Sequence, residues 1–466
     1  MLKGLEISEV NLSEVETADA SFRIDAEFFK SSDIADLKLI EKLPHAKLRN
    51  VTNKIDVGFV GAMSAEYTED KGAPILLQTR NIKEFIVDDA DVIHINRPFH
   101  DYLCKSQVHR GDILIARSGS FGNAAIWLKS DVVNSSDIII VESDTSQIDA
   151  CYLVALLNSR FGRIQLERFA SGAVQGHVNL TILENLKIPV FDGAFQKEVA
   201  KLIESANASF DISRELYREA EQMLLAELDF AGWSPTDDAV SIKSYSDFVS
   251  AGRFDAEYFQ PKYDELFALL DRCKTCALGG LVDIQRSIEP GSDTYSDKGV
   301  PFVRIADFTE MGITPPEIHI PPEICADSPR PRKDTILLSK DGSVGIAYKV
   351  DDNLDVVTSS GILHLTVKDA VVLPDYLTLV LNSKIVRLQA ERDAGGSIIQ
   401  HWKQSEIERV RIPLLPLERQ RDIATKVQTS FALYAESKRL LDLAKRMVEM
   451  AIEQGEAVAT VTLDYA

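Results

Sequence analysis

Tyr152–His177 reads YLVALLNSRFGRIQLERFASGAVQGH, and Tyr376–His401 reads YLTLVLNSKIVRLQAERDAGGSIIQH. At an offset of 224 the two stretches share 12 of 26 positions, among them the triplets Leu157–Ser159 and Leu381–Ser383. The shared positions also include Arg163 and Arg387, Gln165 and Gln389, and the Glu-Arg steps Glu167–Arg168 and Glu391–Arg392. Chance does not produce this, so a tandem duplication organises the chain, and repeats take precedence over any other reading. Upstream, RIDAEFF at Arg23–Phe29 recurs as RFDAEYF at Arg253–Phe259, identical at five of seven positions with an offset of 230. Downstream, the offset of 224 persists through Ile188-Pro189 and Ile412-Pro413 to Gln196 and Gln420. In between it drifts, so insertions and deletions concentrate in the front of each copy. A held frame carrying variable loops is what two differently specialised binding modules require. A period above 200 residues is too long for a solenoid unit; each copy is a domain with an attached element.

The front of each copy is β-rich. Ala73–Gln78 and Val300–Ile305, Asp112–Ala116 and Thr335–Ser339, and Asp137–Glu142 and Gly361–Val367 are short apolar runs bounded by turn residues, the signature of strands. Tyr152–Arg168 and Tyr376–Arg392 space their apolar residues by three and four and read as one helix each. After each Ile-Pro step comes a long helical segment, Gln196–Leu228 and Gln420–Gln454, about 50 Å at 1.5 Å per residue. The first carries Val199, Leu202, Ile203, Ala206 and Phe210 along one stripe, the second Ile423, Val427, Phe431, Tyr434 and Leu441. Two such stripes are expected to pair as a coiled coil. The polar run Pro235–Ser250 is the expected linker between the copies.

The formal net charge of −21 argues against casual affinity for nucleic acid, whose binders usually present a basic face. Leu43–Asp192 and Ala277–Leu415 are each close to charge balance, however. Most of the deficit lies in the helices, termini and linker, which leaves room for local basic loops. No stretch reaches the roughly 20 apolar residues of a membrane span, and Glu6 and Glu9 interrupt the place of a signal-peptide core, so a cytoplasmic protein is expected. Five cysteines do not make a disulfide framework, and the CxxC at Cys273 and Cys276 has no second pair at zinc-site spacing. Enzyme motifs are missing. Asn96-Arg97-Pro98-Phe99 only approximates an amino-methyltransferase motif, because Arg97 interrupts it and no glycine-rich cofactor turn precedes it. The glycine pairs Gly119/Gly122 and Gly342/Gly345 lack the Lys-Ser/Thr of a phosphate-binding loop.

The duplication, the paired long helices and the exit from each copy resemble the specificity subunits of type I restriction-modification systems. That exit runs Gly172…Ile188-Pro189…Gln196 in the first copy and Gly396…Ile412-Pro413-Leu414-Leu415-Pro416-Leu417-Glu418-Arg419-Gln420 in the second. The second copy keeps most of the family's usual ending; the first has drifted to PVFDGAFQ. The resemblance implies a mixed α/β (α+β) fold: two tandem target-recognition domains separated by two long helices in an antiparallel coiled coil, with pseudo-two-fold symmetry. The expected segments are an N-terminal segment 1–43, a first recognition domain 44–192, a central spacer helix 193–232 and a linker with the start of the second copy 233–276. A second recognition domain 277–416, a C-terminal spacer helix 417–456 and a tail 457–466 follow. The resemblance further implies a non-catalytic chain whose partners are double-stranded DNA, two methyltransferase subunits and restriction/translocase subunits. S-adenosylmethionine and ATP would sit on those partners, and no cofactor on this chain. Two other readings remain open: an acidic interaction or DNA-mimicking scaffold, and a specificity subunit of a related phage-defence methylation system.

Base edges are read by Arg, Lys, Asn, Gln, Ser or Thr on loops. The candidates in the first copy are Arg117, Ser118, Ser120 and Asn123 in the turn around Gly119 and Gly122, and Gln78, Arg80 and Asn81 where Ala73–Gln78 ends. Their counterparts are Lys340, Asp341 and Ser343 around Gly342 and Gly345, and Arg304 and Asp307. A third pair of places is Gln175, His177 and Asn179 against Gln400, His401 and Lys403, which the resemblance puts near the DNA face. A solvated hairpin turn is the alternative reading of the first two places, and a cap on the helix leading to Ile-Pro is the alternative for His177 and His401.

Overall fold

Ile113–Ala116 and Ile138–Ser143 are apolar at nearly every position, as strands covered on both faces must be. In the computed structural model they form the centre of an antiparallel sheet ordered Thr52–Val57, Ile138–Ser143, Ile113–Ala116, Ala124–Ile126. The second copy repeats this order with Val282–Arg286, Ile362–Val367, Ile336–Ser339 and Ala347–Lys349. The structure describes residues 9–18, 23–26, 28–119, 121–170, 180–238, 240–395 and 400–461. They divide into two units, one of Met1–Phe210 with Ala435–Ala466 and the other of Asp211–Tyr434.

Each unit adds a second sheet at the front of its copy. In the first unit it has five strands, with Ile75–Gln78 parallel to Val133–Ser136 at its centre. In the second it has three, with Val300–Val303 parallel to Val357–Thr358. The difference of two strands falls where the repeat offset drifts. A two-stranded ribbon closes each module at its base, His45–Lys47 with Lys187–Pro189 and Thr275–Ala277 with Arg411–Pro413.

The expected single helix over Tyr152–Arg168 is two, Ala150–Asn158 and Arg160–Ala170, broken at Ser159. Its counterpart breaks at Ser383 between Pro374–Asn382 and Lys384–Asp393. Both serines are extended (ψ 162° and 158°), and each hydroxyl donates to the carbonyl three residues back. A serine that satisfies its hydroxyl locally favours the edge of a helix over its interior. Apolar spacing alone does not register such a break, because the stripe continues across it.

The long helices span Gly193–Glu227 and Leu417–Gln454, and each supplies one part to each unit. In the second unit they run antiparallel, with Ser213 beside Ser430, Glu219 beside Lys426 (2.6 Å) and Glu227 beside Arg419 (3.3 Å). Ser213 Oγ donates to the Ser430 carbonyl and Ser430 Oγ to that of Ser213, at 2.8 and 2.7 Å, in a fully buried setting. In the first unit Val199, Ile203 and Ala206 share a core with Ala444, Met447, Val448 and Ala451. The linker Pro235–Ser250 forms no strand among its described residues and ends in the short helix Tyr245–Ala251.

Residues that recur in both copies hold this frame. Asn158 accepts from the Ala124 amide (3.1 Å) and donates to its carbonyl (2.7 Å); Asn382 does the same to Ala347 (2.8 and 2.8 Å). Gln165 brackets the backbone of Lys187 and Gln389 that of Arg411. The buried Tyr152 and Tyr376 hydroxyls donate to Pro189 and Pro413, the prolines of the Ile-Pro steps. Arg23 pairs with Asp25 and donates to the Arg168 carbonyl; Arg253 pairs with Asp255 and donates to that of Asp393. Replacing Asn382 by Ala leaves the Ala347 amide and carbonyl unpaired, whereas replacing Asn158 by Ala leaves the Ala124 amide unpaired while its carbonyl keeps the Phe85 amide (2.8 Å). The two substitutions should lower stability by about 2–4 and about 1–3 kcal/mol, respectively, in urea unfolding.

Candidate nucleic-acid interface

In the first unit the ends of three strands converge. Ile75–Gln78 runs parallel to Val133–Ser136, with Gln78 opposite Ser136, and Ala116 pairs with Ile138. Gln78 and Thr79, Arg117 and Ser118, and Asp137 therefore meet at one edge. Arg117 Nη1 lies 3.2 Å from Asp137 Oδ1, Ser118 Oγ donates to Asp137 Oδ2 at 3.0 Å, and Thr79 Oγ1 donates to the Asp137 carbonyl at 3.2 Å. Asp137 has a φ of +54°, a left-handed conformation that Asp and Asn tolerate better than most residues. The adjoining turn uses Gly119 and Gly122 at φ +68° and +75°, matched by Gly342 and Gly345 at +66° and +89°. Positive φ at both places explains why glycine recurs there.

Arg80 is exposed and pairs with Asp91 at 2.7 Å. Asn81 is buried. Its amide donates to the carbonyls of Asp88 and Asp91, and its oxygen accepts from the Gln78 amide, so the side chain holds the turn together. Asn123 is half-buried at the exit of the glycine turn, its carbonyl accepting from Ala116. Ser120, Gln175, His177 and Asn179 lie outside the described residues.

The second unit builds the equivalent edge from the ends of Val300–Val303, Val357–Thr358 and Ile336–Ser339. Arg304 pairs with Asp307. Lys340 pairs with Asp341, and the other oxygen of Asp341 takes His401 Nδ1 at 2.8 Å. The Gly342 amide donates to the Gln400 carbonyl and that of Trp402 to the Lys340 carbonyl. Two candidate places distant in sequence, the glycine turn and the segment at Gln400–Lys403, thus form one surface. Burial raises the Asp341 carboxyl, but Lys340 and His401 outweigh it and hold it below the ordinary range. Ser343 and Lys403 are exposed, and Lys403 pairs with Glu406 at 3.6 Å. Asp341 stands beside Lys340 in the second glycine turn already in the sequence, whereas Asp137 is remote from Arg117 along the chain and carries no sequence signal that joins it to the first turn.

Residues 24–222 and 271–442 match the family model of the type I restriction modification DNA specificity domain. The chain belongs to this family. It is similar to the Escherichia coli type I restriction enzyme EcoBI specificity subunit, at 20% identity over 338 residues covering 71% of this chain and 68% of that one. Similar solved structures include the S subunit of a type I restriction-modification system from M. genitalium (14% identity, 88% of this chain and 94% of that chain, TM-score 0.44). Another is the HsdS subunit from Thermoanaerobacter tengcongensis (17% identity, 88% and 97%, TM-score 0.28). As a specificity subunit the chain selects DNA sequence and assembles with other subunits of its system, and the acidic-scaffold reading is not favoured. Among the described residues of this specificity subunit, none group as a metal site and no helix is long and apolar enough to cross a membrane.

Behind the second edge, His364 lies buried on Ile362–Val367, with Nε2 2.9 Å from Thr358 Oγ1. Burial pushes the imidazole down to about 4. The unfolded chain protonates near 6.5 while the folded one stays neutral, so this contribution is full above about pH 6.5 and is lost as pH falls towards 4. It amounts to roughly 3 kcal/mol at most. The first copy has Ile140 at this position. His364→Ile should remove that acid sensitivity, seen as a smaller difference between unfolding midpoints at pH 7 and pH 4.5.

Proposed function

We propose that each recognition module reads one half of a bipartite DNA target through the edge where its strands end, and that the long helices set the spacer and dock methyltransferase subunits. The observation that carries this reading is a division of labour. Asn158 and Asn382, Gln165 and Gln389, and Tyr152 and Tyr376 recur and hold the backbone. The polar side chains at the converging strand ends differ: Arg117 and Ser118 stand against Lys340 and Asp341, and Gln78 against Arg304. Two modules with one frame and unlike edges suit two unlike half-sites. The proposed site consists of Gln78, Arg80, Arg117, Ser118, Ser120 and Asn123 in one module and Arg304, Lys340, Ser343, Gln400, His401 and Lys403 in the other. Gln175, His177 and Asn179 extend the first by their place in the repeat. The proposed assembly contains two methyltransferase subunits, with restriction/translocase subunits added to it. Methylation and cleavage, with S-adenosylmethionine and ATP, belong to those partners.

Arg117→Ala should relax or weaken recognition of one half-site, and Lys340→Ala the other, since a bidentate cation–guanine contact carries about 1–3 kcal/mol of discrimination. Methylation of a library with both half-sites randomised measures this. Disturbance of the same half-site by both substitutions would refute independent reading. Inserting one heptad after Ala206 and another after Ser430 lengthens each helix by about 10.5 Å. The spacer of the methylated site should then grow by roughly three base pairs at 3.4 Å each, with both half-sites unchanged.

A further inference from the structure

Aligned through the strand before each glycine turn, Arg117-Ser118-Gly119 stands against Lys340-Asp341-Gly342, and Asp137, just before Ile138, against Gly361, just before Ile362. The copies have exchanged a carboxylate between two backbone positions. The first has serine on the turn and aspartate before the central strand; the second has aspartate on the turn and glycine before the strand. The exchange preserves an ion pair, Arg117 with Asp137 in one unit and Lys340 with Asp341 in the other. It also preserves its place, because a Cβ built on Gly361 would lie 3.4 Å from Asp341 Oδ2. Frame residues recur at the same aligned position in both copies. This pair recurs only as a pair, which points to a requirement for cation and carboxylate together at that edge.

Ion-pair stability is a weak reason for the requirement. Arg117 and Asp137 are 32% and 36% accessible, where such pairs contribute little. Lys340 and Asp341 are less accessible at 19% and 22%, but both still reach solvent, and Ser118 and His401 add a second bond to the two carboxylates. Phosphate binding does not supply the requirement, since a carboxylate beside the cation subtracts from attraction to the DNA backbone. Base edges in the major groove do. There a cation donates to guanine O6 and N7, and a carboxylate accepts from the cytosine N4 amino group.

We propose that Asp137 and Asp341 are specificity-determining residues, each keeping its neighbouring cation on base edges and itself accepting from the amino group of a cytosine in one half-site. This rests on the reading of these edges as the DNA-facing surface. The test uses the full chain assembled with its methyltransferase partners, and a library with both half-sites randomised. Asp137→Asn should lower the preference for cytosine at one position of one half-site roughly ten-fold or more, and Asp341→Asn should do so in the other. Both variants should bind non-cognate duplex as tightly as the wild type or more tightly, because a negative charge is gone. Asparagine suits the positive φ at position 137, and Asp341→Ser, which installs the first copy's residue, serves as a second variant. Methylation lowered equally for all sequences would overturn the proposal and leave the carboxylates as braces of the turns. If Arg117→Ala alters a half-site while Asp137→Asn changes no preference, the carboxylate assignment fails and the reading surface stands. If neither changes any preference, the surface itself is wrong.

Discussion

Both backbone groups of one strand residue, Ala124 in one unit and Ala347 in the other, are closed by the carboxamide of an asparagine on the covering helix. Each of those alanines lies on the outer strand of its four-stranded sheet, where the outward amide has no strand partner; in the first unit the Ala124 carbonyl also accepts from the Phe85 amide. The bracket therefore finishes the sheet edge and fixes the helix against it in a single step. The bonds that follow along the chain depend on that placement. The glutamine on the next helix brackets the ribbon at the base, and the tyrosine of the first helix reaches the Ile-Pro carbonyl that leads into the long helix. With the helix fixed, the strand ends on the other side are held in place while their turns are free to vary.

The copies diverge beneath the recognition edges as well. In the second unit Lys349 is nearly buried, with its ammonium 3.0 Å from Asp375 and 2.9 Å from Asp351, while Gln428 of the second long helix donates to Asp375 at 2.7 Å. Burial opposes the charge on Lys349, but the surrounding carboxylates outweigh it and raise the ammonium. The first copy has Ile126, Cys151 and Glu204 at the aligned positions, and they line an open cavity of about 410 Å³. One frame thus places a paired charge between module and helix in one unit and an open cavity at the aligned position in the other. A buried pair of this kind adds little net stability, because the cost of desolvating both charges offsets their attraction.

The acidity of the chain is compatible with its edges because charge acts locally. At physiological ionic strength the screening length is about 8 Å, so carboxylates elsewhere in the chain weigh little on an edge that carries its own cations. What a strongly negative chain does lack is sequence-independent attraction to DNA, which suits a protein whose task is to discriminate among sequences.

The sequence by itself determined the duplication, the two inner strands of each central sheet, the long helices and the family, because each rests on periodicity or on residues repeated at a fixed offset. The outer strands Thr52–Val57 and Ala124–Ile126, with their counterparts, came only with the structure. It also exposed Asn158, Gln165 and Tyr152 as recurring, without showing that all three spend their polar groups on backbone. Tertiary structure decided the rest. The apolar stripe of Tyr152–Arg168 conceals the break at Ser159, since a stripe records which face is buried and not where the backbone turns. Asn81 resembles a base reader in sequence, yet its burial commits it to three backbone bonds. Asp137 and Asp341 stand twenty residues and one residue from their cations, so no motif links them. They come to the same place because strands distant in sequence end side by side, and pairing between strands is fixed by the register of the folded sheet rather than by spacing along the chain.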